Sequence, residues 1–271
     1  MAYEYSNLGF TLLGKVIQNA TNSPSAPAML ELIEKKLMIP LGMTDTAFSD
    51  DNLDKVRLTN GYHMIDNEWV VQPIQKPGTF SALGGVYSTV ADLAIWVTGF
   101  IDAYPARDEP DSHPLSRASR REMQKIHTTM PLELSRNGPA LGGYCFGLTS
   151  EEDLTTGRII GHSGGYPGYG SRMVWHPESK VGVIGLANGR YGGPYGTVVE
   201  AVEAVVAEVP RQLSMAAHPL VAETLRPAVD AALAAGDLMA LEPLLSANVD
   251  QDEELARRGK PATLERCLPF C

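Results

Sequence analysis

Cysteine is scarce. Cys145, Cys267 and Cys271 are the three in 271 residues, too few for a disulfide framework, and the terminal pair lacks the second pair of ligands that a zinc site needs. Neither a metal nor another cofactor is expected. Basic charge is also short: 22 Lys and Arg stand against 32 Asp and Glu, for a net charge of -10. That balance argues against a nucleic-acid partner, which selects for a basic face. No apolar run reaches the length of a membrane span, and Met1-Ala2-Tyr3-Glu4-Tyr5 has no basic start followed by an apolar signal core. The chain as written is therefore expected in the cytoplasm. Internal repeats are missing too. What remains is 44% hydrophobic and 20% charged, the balance of a globular protein long enough to bury a sizeable core.

The chain is organised around Arg158-Ile159-Ile160-Gly161-His162-Ser163-Gly164-Gly165, which continues through Tyr166-Pro167-Gly168-Tyr169-Gly170-Ser171 into Arg172-Met173-Val174-Trp175. An apolar β-type run feeds a glycine-dense polar cluster, and a second β-type run returns from it. Two readings compete here. Gly161-His162-Ser163-Gly164-Gly165 fits a G-x-S-x-G nucleophile turn with Ser163 as nucleophile, or it is a sheet strand whose polar end lines an active site. An elbow needs a strand, a sharp turn and then a helix. Ser163 is followed by glycines, a proline and another strand, which disfavours the elbow.

Upstream, Ser6-Asn7 caps a helix in which Leu8, Leu12, Leu13, Val16, Ile17 and Ala20 recur at helical spacing. A second amphipathic helix covers about Met29 to Met38 and stops at Pro40. From Leu41 to Ser81 the sequence reads as a long, irregular polar segment punctuated by Pro73 and Pro77. Thr89 and Asp92 have capping-box spacing before a helix whose apolar face is Leu93, Trp96, Val97 and Phe100. A charged, proline-rich loop follows, then a short basic helix near Ser116 to His127. Strands are predicted at Tyr144 to Leu148, Arg158 to His162, Ser171 to Trp175 and Val181 to Leu186, close enough together to imply an antiparallel meander. Pro194 opens a helix that would cover one face of that sheet. After Pro210 the chain is alanine-rich and helical, without chemistry. The fold class expected is α+β: an antiparallel sheet flanked by helices, plus a mainly helical subdomain. Residues 1–208 form the main domain, helical over about 1–141 and sheet over about 142–208, and 209–271 form a helical extension.

Four segments in order resemble the serine β-lactamases, the penicillin-binding D,D-peptidases and their esterase relatives. They are Tyr5-Ser6-Asn7 with the following Leu8 to Gly14, then Pro40 to Thr46, Gly84 to Leu93, and His162-Ser163-Gly164-Gly165. The resemblance covers about residues 1 to 208. It implies that Tyr5 and Asn7 match the family's Tyr-x-Asn motif, in which the tyrosine is the general base or acid and the asparagine bonds substrate and the catalytic lysine. A tyrosine with an ordinary pKa near 10 needs a cationic neighbour to act as a base at neutral pH. It also implies that His162, Ser163 and Gly164 match the Lys-Thr-Gly or His-x-Gly motif on the strand beside the cleft. Strand backbone there binds an extended acyl substrate and helps form the oxyanion hole.

The departure from the family is its nucleophile. Ser-x-x-Lys should lie upstream of Tyr-x-Asn, yet only four residues precede Tyr5, and no serine in the chain has a lysine three positions on. The resemblance therefore implies a fold incomplete at its N-terminus, with an open sheet edge and exposed apolar surface that make it prone to aggregate. A signal peptide could be lost with the missing part, which would place the protein in the periplasm or outside the cell. Three functions stay open: a serine hydrolase acting on a small-molecule or peptide amide, lactam or ester with its nucleophile outside this chain, a non-catalytic remnant or ligand-binding module, and an α/β-hydrolase-like esterase using Ser163. Oligomeric state is not readable.

Overall fold

The computed structural model describes residues 3–130, 133–135, 138–153, 156–190 and 194–208. The chain divides into two compact units, Met1–Glu133 with Ala140–Glu208, and Leu134–Pro139 with Val209–Cys271. The first contains the candidate site. The helical extension expected at 209–271, with Cys267 and Cys271, lies outside the described residues. No described helix is long and apolar enough to cross a membrane.

In chain order the elements are helices α1 (Asn7–Ala20) and α2 (Ala26–Ile33), hairpin strands β1 (Tyr62–Ile65) and β2 (Glu68–Val71), and helices α3 (Val90–Asp102) and α4 (Arg117–Met123). Strands β3 (Thr128–Thr129), β4 (Glu133–Ser135), β5 (Gly138–Tyr144), β6 (Thr149–Asp153), β7 (Gly157–Tyr166), β8 (Tyr169–His176) and β9 (Val181–Ala187) follow, then helix α5 (Tyr195–Glu208). The large sheet runs β3-β5-β6-β7-β8-β9, with β4 on β5, and every pairing along that path is antiparallel. The architecture is the expected α+β class.

Local sequence explains the helix starts. Ser6 accepts the Gly9 N–H at 3.0 Å, and Ser25 accepts that of Ala28 at 3.3 Å with Pro27 in the first turn. Thr89 caps α3 by accepting the Asp92 N–H at 3.2 Å. The reciprocal half of the capping box does not form. The Asp92 carboxylate instead accepts the Asp45 N–H at 2.9 Å and the Thr46 hydroxyl at 2.7 Å, tying the segment after α2 to the start of α3.

Alternation along β7 and β8 builds two cores. Ile160 and Trp175 face α3, where Val97 and Phe100 close a cluster with Cys145 and Leu148. Ile159 and Val174 face α5 and bury Val198 and Val202. The sheet is thus a layer between helices.

Three expectations need correction. The stretch from Leu41 to Ser81 is not all irregular, because it contains the β1–β2 hairpin. Asp66 and Asn67 form its two-residue turn with φ 49 and 65, the left-handed pair that matches strand twist and that Asp and Asn tolerate. Of the strand expected at Tyr144 to Leu148, Tyr144 ends β5 and the rest is a turn between β5 and β6: Cys145 N–H donates to the Leu148 carbonyl at 2.8 Å, and Gly147 takes φ 71. The helix expected from Met29 to Met38 starts earlier and ends in a π turn over Glu34–Met38.

Helix α1 keeps its apolar stripe exposed, with Leu8 62%, Leu12 59%, Leu13 50% and Val16 61% accessible. It packs through its small face, where Thr11 and Gly14 are buried. A Cβ at Gly14 would stand 2.3 Å from the Ala82 Cβ, so that approach admits glycine alone.

Candidate functional site

Strand β7 outruns one of its neighbours. Its ladder with β6 ends at Gly161, opposite Thr149, whereas its ladder with β8 continues to Tyr166, opposite Tyr169. From His162 to Tyr166 one backbone edge has no strand partner among the described residues, and an open edge is a template for an added extended chain. The turn beyond it is anchored. Gly168 adopts φ +87, a Cβ there would lie 2.7 Å from the Gly61 Cα, and the Gly168 carbonyl accepts the Tyr62 N–H at 3.2 Å. The β1–β2 hairpin is therefore docked against the end of β7.

His162 shares its sheet face with Ile160. Its ring lies 6.2 Å from that of Tyr5, nearly parallel, and 6.1 Å from that of Tyr144, edge to face. Tyr144 and Tyr5 meet edge to face at 5.9 Å, and Tyr3 lies 5.7 Å from Tyr144 with its ring tilted. The His162 Nδ1 is 2.6 Å from the Ser163 carbonyl oxygen, and its Nε2 is 3.3 Å from the Tyr144 hydroxyl. Burial, helped by the Arg172 charge and opposed by the Ser163 carbonyl, holds the imidazole pKa below its ordinary value. Burial likewise pushes the Tyr144 phenol up to about 12, with the neighbouring Tyr5 and Tyr3 adding to it.

Ser163 points to the other face. Its hydroxyl donates to the Tyr195 hydroxyl at 3.3 Å, and the residue across the ladder is Arg172. Arg172 is 3% exposed. One terminal nitrogen donates to the Tyr195 hydroxyl at 3.2 Å, the guanidinium carbon lies 4.4 Å from the Tyr195 ring centroid, and Nε has no partner. Among the described residues no carboxylate comes within ion-pair distance of it. Gly164 is exposed and in regular register with Ser171, so it is not a bulge. Asn7 is exposed in the first turn of α1, and among the described residues its side-chain amide makes no hydrogen bond.

Of the five residues singled out from sequence, the structure brings Tyr5 and His162 together. It puts Ser163 on the opposite face and leaves Asn7 and Gly164 open. Sequence reasoning missed Tyr144, Arg172 and Tyr195. Arg172 had a signal: with Pro167-Gly168 as a two-residue turn, Tyr166 pairs with Tyr169, and counting back sets Ser163 opposite Arg172. Among the described residues no group of His, Cys, Asp and Glu gathers closely enough to hold a metal ion.

Burial also depresses the pKa of His113 and His176. In each of these three histidines the unfolded chain binds its proton first as pH falls, so their contribution is fully present above the unfolded value near 6.5 and declines below it. The melting temperature is accordingly expected to drop between pH 7.5 and 5.5 in thermal melts at constant ionic strength. The carboxylates act later. Asp111, against the upward push of burial, is drawn down to about 2 by the Arg120 guanidinium. A melting temperature flat over that interval would exclude the histidine contribution.

A family model described as Beta-lactamase matches residues 1–208. Penicillin-binding protein 4* of Bacillus subtilis (strain 168) is 27% identical over 201 residues, covering 68% of this chain and 39% of that protein. The D-alanyl-D-alanine-carboxypeptidase/endopeptidase AmpH of Escherichia coli (strain K12) is 27% identical over 185 residues, covering 66% and 43%. The solved structure of the octameric penicillin-binding protein homologue from Pyrococcus abyssi superimposes with a TM-score of 0.65 at 27% identity, covering 79% of this chain and 44% of that one. The chain spans less than half the length of each of these relatives.

Proposed function

The chain belongs to the Beta-lactamase family, a superfamily of serine hydrolases, and from that membership we propose that it forms the acyl-substrate-binding side of such an enzyme's site. The substrate is an amide, lactam or ester of a small molecule or peptide, cleaved through an acyl-enzyme. The observation that carries this reading is the unpaired edge of β7 from His162 to Tyr166 beside Tyr5. An extended acyl chain laid along it would gain main-chain hydrogen bonds, with Gly164 presenting bare backbone. Tyr5 and Asn7 take the Tyr-x-Asn roles, and His162, Ser163 and Gly164 form the strand wall.

Arg172 extends the reading to an anionic substrate end. A buried guanidinium without a carboxylate is costly, and Ser163, partly exposed beside it, offers the hydroxyl that would share a bound carboxylate with that cation. The covalent step needs a nucleophile these residues do not supply, since no serine here has a lysine three residues on. Ser163 does not fill that role: its Oγ meets a phenol, and the His162 Nδ1 is engaged by the Ser163 carbonyl instead. Binding without turnover is the expected behaviour of the chain alone. Incubation with a reporter penicillin and with a fluorophosphonate, followed by intact mass, is expected to leave the mass unchanged, whereas a D-alanyl peptide should perturb backbone amide resonances of His162 to Tyr166. A stoichiometric adduct on Ser163 would replace this reading with the elbow, and amides unmoved by the peptide would remove the binding role.

A further inference from the structure

Tyr144 belongs to no motif of the chain, yet it is the side chain that meets the free nitrogen of His162. The partners of the two ring nitrogens point to one tautomer. A carbonyl oxygen only accepts, so the Nδ1 that lies 2.6 Å from the Ser163 carbonyl must carry a hydrogen. A neutral imidazole then has a bare Nε2, which only accepts. The hydroxyl facing it at 3.3 Å belongs to Tyr144.

We propose that Tyr144 is a positioning residue for His162, donating its hydroxyl to Nε2 and fixing the ring as the neutral Nδ1–H tautomer, turned so that the strand wall presents an uncharged imidazole. The inference deepens the acyl-binding reading of this site, but its test needs no substrate.

The surroundings support it. Tyr144 ends β5, where its carbonyl accepts the His127 N–H at 2.9 Å, and its ring contacts those of Tyr3 and Tyr5. Thr149, opposite Tyr144 in the β5–β6 ladder, is also opposite Gly161 in the next and donates its hydroxyl to the Gly161 carbonyl at 3.0 Å. The two strands that set the Tyr144–His162 spacing are thereby locked in register. Groups that bear on the protonation of His162 are Tyr144 from β5, Tyr5 from the segment before α1, and Arg172 from β8. The cation repels a second positive charge, and no carboxylate among the described residues pairs with the ring, so burial and Arg172 favour the neutral form over the opposing pull of the Ser163 carbonyl. The phenol keeps its own proton at neutral pH, because burial pushes its pKa up to about 12, and so remains a donor. The consequence for substrate is specific. His162 is not the cation that a lysine at the same motif position would be, and recognition of negative charge falls to Arg172.

Long-range nitrogen–proton correlation spectra of the full-length 15N-labelled chain test this directly. At pH 7.5 the His162 ring is expected to show a protonated Nδ1 and a bare Nε2. Tyr144→Phe keeps the ring packing and deletes the donor. It should move the Nε2 resonance toward the value of an unbonded nitrogen, and the loss of a bond to the neutral form should raise the protonation constant of His162 roughly three- to tenfold. A merely structural phenol would leave both readings unchanged in a folded variant, and that outcome would overturn the assignment. So would a protonated Nε2 in the wild-type spectrum, which depends on no variant. Failure of the chain to bind acyl peptides would refute the proposed function while leaving these ring signals as predicted.

Discussion

Trp175→Ala is expected to lower stability by on the order of 5 kcal/mol, enough to depopulate the fold at room temperature if the chain sits near the lower end of ordinary domain stability. Trp175 is fully buried and is the largest such side chain among the described residues. It stacks on Phe100 at 5.4 Å between centroids and fills the layer between β8 and α3. Truncating a buried aromatic to alanine costs about 3–5 kcal/mol in transfer and cavity terms. Here a second loss follows. The indole N–H donates to the Gln124 Oε1 at 2.9 Å, and Gln124 is itself fully buried, holding the Phe100 and Arg120 carbonyls through its amide nitrogen at 3.2 and 3.0 Å. An orphaned buried acceptor adds about 1–3 kcal/mol. Trp175→Phe separates the two effects, since it keeps a stacking ring and deletes the donor, and should cost about 1–3 kcal/mol. Urea unfolding followed by far-UV circular dichroism measures both. A loss under about 1 kcal/mol for the alanine variant would mean that this layer is not the stabilising core.

The core was legible in sequence because it obeys local periodicity. Val97 and Phe100 recur at helical spacing, and Ile160 and Trp175 sit on alternating strands, so pattern alone set their faces. The β7–β8 hairpin was readable for a similar reason, from Pro167-Gly168 between two β-type runs. The β1–β2 hairpin was overlooked although Asp66-Asn67 is a permissible left-handed pair, because Pro73, Pro77 and the surrounding polar residues suggested uninterrupted loop. Cys145 to Leu148 were misread as strand from their aromatic and apolar residues. The left-handed Gly147 in their midst is the signal that outweighed propensity. At the site, Tyr5 and His162 were found through motif spacing, but Tyr144 was not, since it reaches His162 across two strand ladders and no local pattern encodes that contact. Asp92 shows the same limit. Its spacing from Thr89 promised a local cap, and the carboxylate went instead to Asp45 and Thr46.

Arg172→Met is expected to weaken binding of a carboxylate-terminated acyl peptide by about 30- to 1000-fold while leaving stability intact. The argument rests on an imbalance. Removing a guanidinium from water costs several kcal/mol unless a paired charge and full hydrogen bonding offset it. Arg172 has the Tyr195 ring and hydroxyl, a Nε without a partner, and no carboxylate among the described residues. Tyr195 recovers part of the cost, since a cation over an aromatic face gains about 0.5–2 kcal/mol, but a deficit remains that a bound carboxylate would remove. Truncating one member of such a desolvated pair typically costs about 2–4 kcal/mol of binding, which at about 1.4 kcal/mol per tenfold gives the range stated. Methionine matches the stem and needs no partner, so the folded state should lose less than about 1 kcal/mol and could gain. Titration calorimetry with two peptides, one ending in a free carboxylate and one in the amide, isolates the charge from everything else the peptide touches. The wild-type chain should prefer the acid, and the variant should bind both alike. If the variant still prefers the acid, the anion is read elsewhere. If the wild type never prefers it, Arg172 is a structural cation satisfied by Tyr195, and the anionic end drops out of the proposed substrate.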